Sequence, residues 1–132
     1  MADTETTLYE KVLLDLWNRA QNVSSNVYTS SRPSATDQMD DFVVVSLPQG
    51  ITPYSDTHDT AYVQMSCYVR DRQGGVENVN VIGRMVDAVR ALLPFNDDLL
   101  TANTDKPLQL PSKSDGMGFH STTLQFKILV KH

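Results

Sequence analysis

The chain has 132 residues, of which 40% are hydrophobic and 20% are charged, a composition that fits one folded domain over residues 1–132 and excludes a disordered protein. Its 16 acidic and 11 basic residues give a net charge of −5, which argues against direct binding of nucleic acid, because such binding needs a basic face. A single cysteine, Cys67, excludes an intramolecular disulfide framework.

Membrane and export signals are missing from the sequence. No stretch approaches the roughly 20 apolar residues of a membrane span. The first residues, MADTETT, lack the basic and apolar regions of a signal peptide. We therefore expect a soluble protein that is made in the bacterial cytoplasm and does not bind membranes.

The first elements are a helix and a short strand. Thr7 followed by Glu10 is typical of a capping box. It predicts a helix whose apolar residues lie along one face: Leu8, Val12, Leu16 and Ala20. The segment VYT at 27–29 predicts a brief strand, and residues 30–39 predict a polar, exposed loop.

Two further strands precede the second helix. The run FVVVSL at 42–47 is almost continuously apolar and predicts a strand covered on both faces. The run AYVQMSCYVR at 61–70 alternates apolar and polar residues, which predicts a strand with Cys67 on its apolar face. We expect these two strands to pair antiparallel, with residues 51–60 as the loop between them.

A second helix is predicted from Glu77 to Leu93, where Pro94 ends it. Its apolar stripe consists of Val79, Ile82, Val86, Val89 and Leu93. One apolar strand face and one apolar helix stripe lie close together in sequence, so each is expected to cover the other. Cys67 is then interpreted as a buried core thiol rather than a nucleophile.

The C-terminal part predicts an irregular segment over 95–106, an edge strand at Leu108–Leu110 between two prolines, a turn at 112–118 and a long final strand over 119–130. The predicted fold is α+β, with two helices on a mostly antiparallel sheet in the order α-β-β-β-α-β-β.

Little in the sequence points to catalysis. The loop Asp56-Thr57-His58-Asp59 groups metal-type side chains, but Asp and Thr in such loops more often bond the backbone around a turn. A small hydrolase that uses Cys67 or a serine with His58 or His120 is one alternative. Gly74-Gly75 lacks the spacing of a phosphate-binding loop and is interpreted as a turn. We expect no enzyme activity, no metal and no cofactor.

Several elements resemble the tail-completion or tail-terminator proteins of long-tailed bacteriophages. The resemblance covers roughly residues 8–93 and rests on the first helix, VYTSSRP at 27–33, FVVV at 42–45, VQM at 63–65 and the helix ending VRALL at 89–93. Phe42 stands where an aromatic residue before the valine run is common in that family. The long loop at 51–60 and the chain after Leu99 depart from the family pattern.

This resemblance implies a small structural subunit without an active site. Members of the family form rings, often hexameric, that cap the tail tube and join it to the head. The expected partners are therefore other copies of the chain, the tail-tube protein and neck proteins, and the expected location is the tail or neck of a phage or prophage particle. A small cytoplasmic adaptor of the same fold is the alternative from another class.

An assembly of this kind needs contact surfaces on the subunit. The sequence predicts three surfaces that a monomer leaves unused: a two-faced sheet, a proline-bracketed edge strand and exposed loops. Head-to-tail contacts between unlike surfaces close into rings. The candidate interface residues lie in the two long loops and near strand ends. They are Arg32, Pro33, Asp56, His58, Arg70 and Arg72.

Overall fold

The structure is a computed structural model that describes residues 7–33 and 38–132. Two helices, α1 (Leu8–Ala20) and α2 (Val79–Arg90), accompany nine strands. The strands are β1 (Val27–Thr29), β2 (Asp41–Ser46), β3 (Ile51–Pro53), β4 (His58–Arg70), β5 (Phe95–Asn96), β6 (Leu100–Ala102), β7 (Leu108–Gln109), β8 (Lys113–Ser114) and β9 (Phe119–Lys131). The predicted α+β class is confirmed, and the predicted order of the longer elements is matched.

The strands form one mixed sheet around two long central strands. The order across the sheet is β1-β2-β4-β9-β6-β5, with β3 paired to β4 and with β7 and β8 paired to β9. Among the described strands, β1 and β2 pair in parallel and the other seven pairings are antiparallel. The antiparallel pairing of β4 with β9 runs over their whole length, from His58 opposite Lys131 to Arg70 opposite Phe119.

Both helices pack on the same face of this sheet. The capping box of α1 is present, since Thr7 Oγ1 accepts from the backbone N–H of Glu10. The odd-numbered residues of β4 and the even-numbered residues of β9 face the helices, as the register of Cys67 opposite Thr122 requires. Cys67 is fully buried in this core, as the alternation predicted.

The second face of the sheet is covered by no helix of the described chain. At one end of this face lies a small separate core that we call the aromatic cluster. It consists of Phe42, Phe119, Tyr28 and Tyr68 with Val44 and Met39. The rings of Phe42 and Tyr68 are stacked with their centroids 4.5 Å apart. Because β2 supplies Phe42 and Val44 to this face and valines to the other, it is buried on both sides, as predicted.

Four sequence predictions are wrong in detail. The segment 112–118 is not only a turn, because β8 lies within it and pairs with β9. The segment 51–60 is not a simple loop, because β3 and the start of β4 pair within it as a hairpin. The segment 95–106 is not irregular throughout, because β5 and β6 extend the sheet beyond β9. Helix α2 ends at Arg90, and Val79 is 66% exposed while Met85 takes a buried position. Part of the predicted loop at 30–39 lies outside the described residues.

Candidate interaction surface

The six predicted interface residues lie at the two ends of the long strands. Arg32, Arg70 and Arg72 are near the end where Arg70 pairs with Phe119, whereas His58 begins β4 at the end where it pairs with Lys131. His58 and Arg70 are the first and last residues of the 13-residue strand β4, so they are about 40 Å apart. The structure therefore does not bring the six residues together.

Arg32 is a structural side chain rather than a free surface cation. Its guanidinium carbon lies 5.5 Å from the ring centroids of Phe42 and Phe119, and its Nη2 lies 3.0 Å from Asp115 Oδ2. Its side chain is only 17% exposed. Because cations bind the faces of aromatic rings, Arg32 holds its loop and the turn after β8 against the aromatic cluster.

Arg70 supports the same cluster from the neighbouring strand. Its Nη2 and Nε donate to the carbonyl oxygen of Met39 at 2.7 and 3.1 Å, and its guanidinium lies 4.8 Å from the ring centroid of Phe119. Pro33 is half-buried beside Arg32, whereas Arg72 is exposed in a turn closed by a bridge to Val76. Of the three arginines, Arg72 is thus the one that is mainly exposed.

Asp56 and His58 lie at the tip and base of the β3–β4 hairpin. Asp56 is exposed and His58 is half-buried. The His58 Nδ1 and Thr57 Oγ1 atoms are hydrogen-bonded at 2.8 Å, and Asp59 Oδ1 is 3.0 Å from His132 Nε2. The segment is a turn, but its backbone N–H groups at Thr57 and His58 donate to the Ser55 hydroxyl, and the bonds from Asp and Thr to the backbone that the sequence predicted are not the ones that hold it. In residues 7–33 and 38–132, no three His, Cys, Asp or Glu side chains are grouped as a metal site would require.

Two of the groups considered for catalysis, Cys67 and His120, are largely buried. Burial raises the pKa of the Cys67 thiol to about 12, with a smaller contribution from the negative charge of Asp41, so the reactive thiolate is scarce at neutral pH. His120 Nδ1 lies 2.6 Å from Asp71 Oδ1, and both side chains are largely buried. This pair joins the start of β9 to the chain just after β4.

A groove on the second face is the feature that sequence reasoning missed. It has a volume of about 520 Å³ and lies over the half of the sheet that the aromatic cluster leaves free. Its walls include Tyr54, Tyr62, Leu129, Lys106 and Lys127. Tyr54 is 70% exposed and Tyr62 is 36% exposed. Since the walls come from segments far apart in sequence, the one available signal was the mixture of aromatic and basic residues on the polar sides of β4 and β9.

Polar pairs connect the groove to the aromatic cluster along the middle of the same face. Gln64 Nε2 donates to Gln125 Oε1 at 2.9 Å, and the hydroxyls of Ser66 and Thr123 are 2.7 Å apart. Each pair lies directly opposite across β4 and β9. Cross-strand pairs of this kind stabilise the sheet, and these two keep its surface polar between the groove and the aromatic rings.

Comparison with known proteins gives information on the fold. Nineteen chains of solved structures match this chain. One of them, a protein whose name describes no function, aligns with a TM-score of 0.64 over 98% of this chain and 98% of its own length, at 10% sequence identity. At that identity the likeness shows that the fold recurs. No protein-family model and no curated protein matches the sequence. Neither helix of the described chain has the length and apolar composition needed to cross a bilayer.

Proposed function

We propose that the chain is a structural subunit of a phage or prophage particle, a tail-terminator, tail-completion or neck protein that acts by forming a ring on the tail tube. The sequence support is the resemblance over residues 8–93, including VYTSSRP at 27–33 and FVVV at 42–45. The fold that this resemblance implied, two helices on a mostly antiparallel sheet, is the observed fold.

The observation that carries the proposal is the groove on the second face of the sheet. Tyr54 and Tyr62 expose apolar area in this groove, beside the half-buried Leu129. Tyrosine is enriched in protein interfaces because its large ring is apolar and its hydroxyl still bonds to water or a partner. A subunit that works by contacting other subunits needs such a surface, whereas an isolated monomer gains nothing from it.

The proposal is tested by binding to the tail-tube protein of the particle to which the subunit would belong. Purified tubes are mixed with the protein, and the tube ends are viewed by negative-stain electron microscopy. The proposal predicts a ring density at one end of each tube, with sixfold symmetry in end views. Tubes whose ends stay bare at saturating protein would contradict it, and the adaptor function would then be the better account.

A further inference from the structure

The groove lies at a gap in the edge pairing of β9. Strand β6 pairs with β9 as far as Leu129, and β7 pairs with β9 from Gln125. Between these two positions, no strand of the described chain pairs with Lys127 on this edge. Thr101 of β6 and Leu108 of β7 both line the groove. The groove therefore spans the gap in the sheet.

The main-chain groups of Lys127 point towards this gap. On the same edge, the Lys131 N–H donates to the carbonyl oxygen of Leu99, and the Thr123 carbonyl oxygen accepts from the N–H of Leu110. Backbone groups of an antiparallel strand alternate between its two edges, so the odd-numbered Lys127 directs its N–H and C=O to the same edge. No loop residue of the described chain bonds to either group. One donor and one acceptor are thus left for the backbone of an added segment.

A ligand in the groove can reach this part of the backbone. Phe126 and Ile128 are 4% and 1% exposed, and their side chains belong to the core on the helix side. Both residues nevertheless line the groove. The groove therefore extends down to the main chain of β9 on either side of Lys127.

The groove walls combine exposed apolar side chains with cations. Tyr54, Tyr62 and Leu108 are 70%, 36% and 57% exposed. Lys106 and Lys127 are exposed on the same walls, and the lining within the described chain contains no aspartate or glutamate. Neither ammonium group makes an ion pair in residues 7–33 and 38–132. Unpaired cations beside apolar rings are complementary to a partner with both carboxylates and apolar side chains.

We propose that the groove binds an extended acidic segment of a partner protein. Its carboxylates lie beside Lys106 and Lys127, an apolar side chain packs between Tyr54 and Tyr62, and its backbone bonds to that of Lys127. The free main-chain donor and acceptor favour a protein segment, because an extended peptide supplies both matching groups, whereas a phosphate backbone accepts hydrogen bonds and donates none. The inference rests on the proposed function, in which the groove is a contact surface, and adds the chemistry of the partner.

Synthetic peptides test the proposed chemistry by fluorescence anisotropy. The acidic probe is a labelled peptide in which glutamates alternate with valines around a central phenylalanine, and the basic probe has lysine in place of each glutamate. In low salt the native protein should bind the acidic probe about tenfold more tightly than the basic probe, and added salt should reduce this difference. An acidic probe with an N-methylated backbone should bind about tenfold more weakly, because it cannot donate to the Lys127 carbonyl oxygen.

Charge reversal places the binding in the groove. Lys106→Glu with Lys127→Glu should weaken binding of the acidic probe about tenfold or more, because like charges then face each other. Lys11→Glu with Lys113→Glu is the matched control, since it makes the same change in net charge at exposed positions outside the groove walls. The control should bind the acidic probe much as the native protein does. Melting temperatures establish that both variants are folded.

Several results would overturn the inference. They are no saturable binding of the acidic probe at about millimolar protein, equal binding of the acidic and basic probes, full binding of the N-methylated probe, and equal weakening in the two double variants. Tighter binding of a single-stranded oligothymidylate would make the groove a nucleic-acid site. Self-association of the native protein that the groove variant loses would assign the groove to a second copy.

The inference and the proposed function can fail separately. If the acidic probe binds and the groove variant loses it, but tail tubes are never capped, the peptide site stands and the proposed function fails. If tubes are capped while the native protein fails to bind the acidic probe, the proposed function stands and this inference fails.

Discussion

The carboxyl groups of Asp15 and Asp97 share one guanidinium, that of Arg19. Arg19 Nε donates to Asp15 Oδ1 at 2.9 Å, and its Nη2 donates to Asp97 Oδ2 at 2.6 Å. Asp97 also accepts the backbone N–H groups of Leu99 and Leu100 at 2.7 Å. The cluster links α1 to the turn between β5 and β6. Arg19 and Asp97, which make this link, are 78 residues apart in the chain.

The two carboxyl groups titrate in opposite directions. Burial, followed by contact with Asp97, raises the pKa of Asp15 from 3.8 to about 6. The hydrogen bonds that Asp97 accepts from Asp15, from the backbone of Leu100 and Leu99 and from Arg19 lower its own pKa, against an opposing contribution from burial. The stabilisation linked to Asp15 is therefore present below about pH 4 and is lost as the pH rises through 6, whereas that linked to Asp97 is lost as the pH falls below about 4.

The first prediction follows from the raised pKa of Asp15. Asp15→Asn removes a carboxylate that is unfavourable when ionised, so it should raise the free energy of unfolding at pH 7 by about 1–3 kcal/mol. Denaturant unfolding across pH 4–8 measures the effect. The difference in free energy of unfolding between the variant and the native protein should vanish towards pH 4. Asp98→Asn, an exposed change on the same turn, is the control, and a gap independent of pH would contradict the account.

The second prediction concerns the packing of α2 on the sheet. Val86 is 5% exposed and lies in the core with Cys67. Val86→Asp should lower the free energy of unfolding by about 3–5 kcal/mol, because it buries an unpaired charge. Val79→Asp makes the same change at an exposed position of the same helix and should stay within about 0.5 kcal/mol. Equal melting temperatures for the two variants would refute helix-on-sheet packing.

The third prediction concerns the Cys67 thiol. It is fully buried and its pKa is raised to about 12, so a water-soluble thiol reagent should modify the native protein slowly. The same protein in denaturant should react at once with one equivalent, because the chain has one cysteine. Absorbance of the released reagent group follows both reactions. Rapid modification without unfolding would be inconsistent with the buried position.

The fourth prediction concerns Arg32 and Asp115. Arg32→Glu places two carboxylates side by side against the aromatic cluster, and it should lower the free energy of unfolding by about 2–4 kcal/mol. Adding Asp115→Arg restores the opposite charges and should recover part of the loss. Arg72→Glu, an exposed change near the same end of the sheet, should have little effect. Thermal unfolding compares the four proteins, and an additive double variant would mean that the pair does not interact.

The main elements of the fold could be predicted because alternation and helical spacing act over ten residues or more. The burial of Cys67 and the pairing of the strands at 42–47 and 61–70 follow from such patterns. Strands β3, β5 and β6 have two or three residues each, so they have no local pattern and form only because β4, β6 and β9 offer free edges. Val79 fits the helical stripe but lies in the first turn, beyond the reach of the sheet.

The candidate surface was harder to predict than the fold. Arg32 and Arg70 were expected at an interface because sequence shows charge but not the ring faces that both guanidinium groups cover. Tyr54 and Lys106 reach the same groove from two separate loops, which is a property of the folded chain. The same holds for the contact of Asp15 with Asp97. Long-range side-chain contacts of this kind leave no periodic signal in sequence.

The most direct test of the proposed role is removal of the gene from an inducible phage or prophage, followed by electron microscopy of the particles. A tail terminator should be required for defined tails that join heads, so the account predicts unjoined heads and tails of irregular length. Expression of the native protein from a plasmid should restore normal particles. Normal tails of defined length attached to heads in its absence would contradict the account.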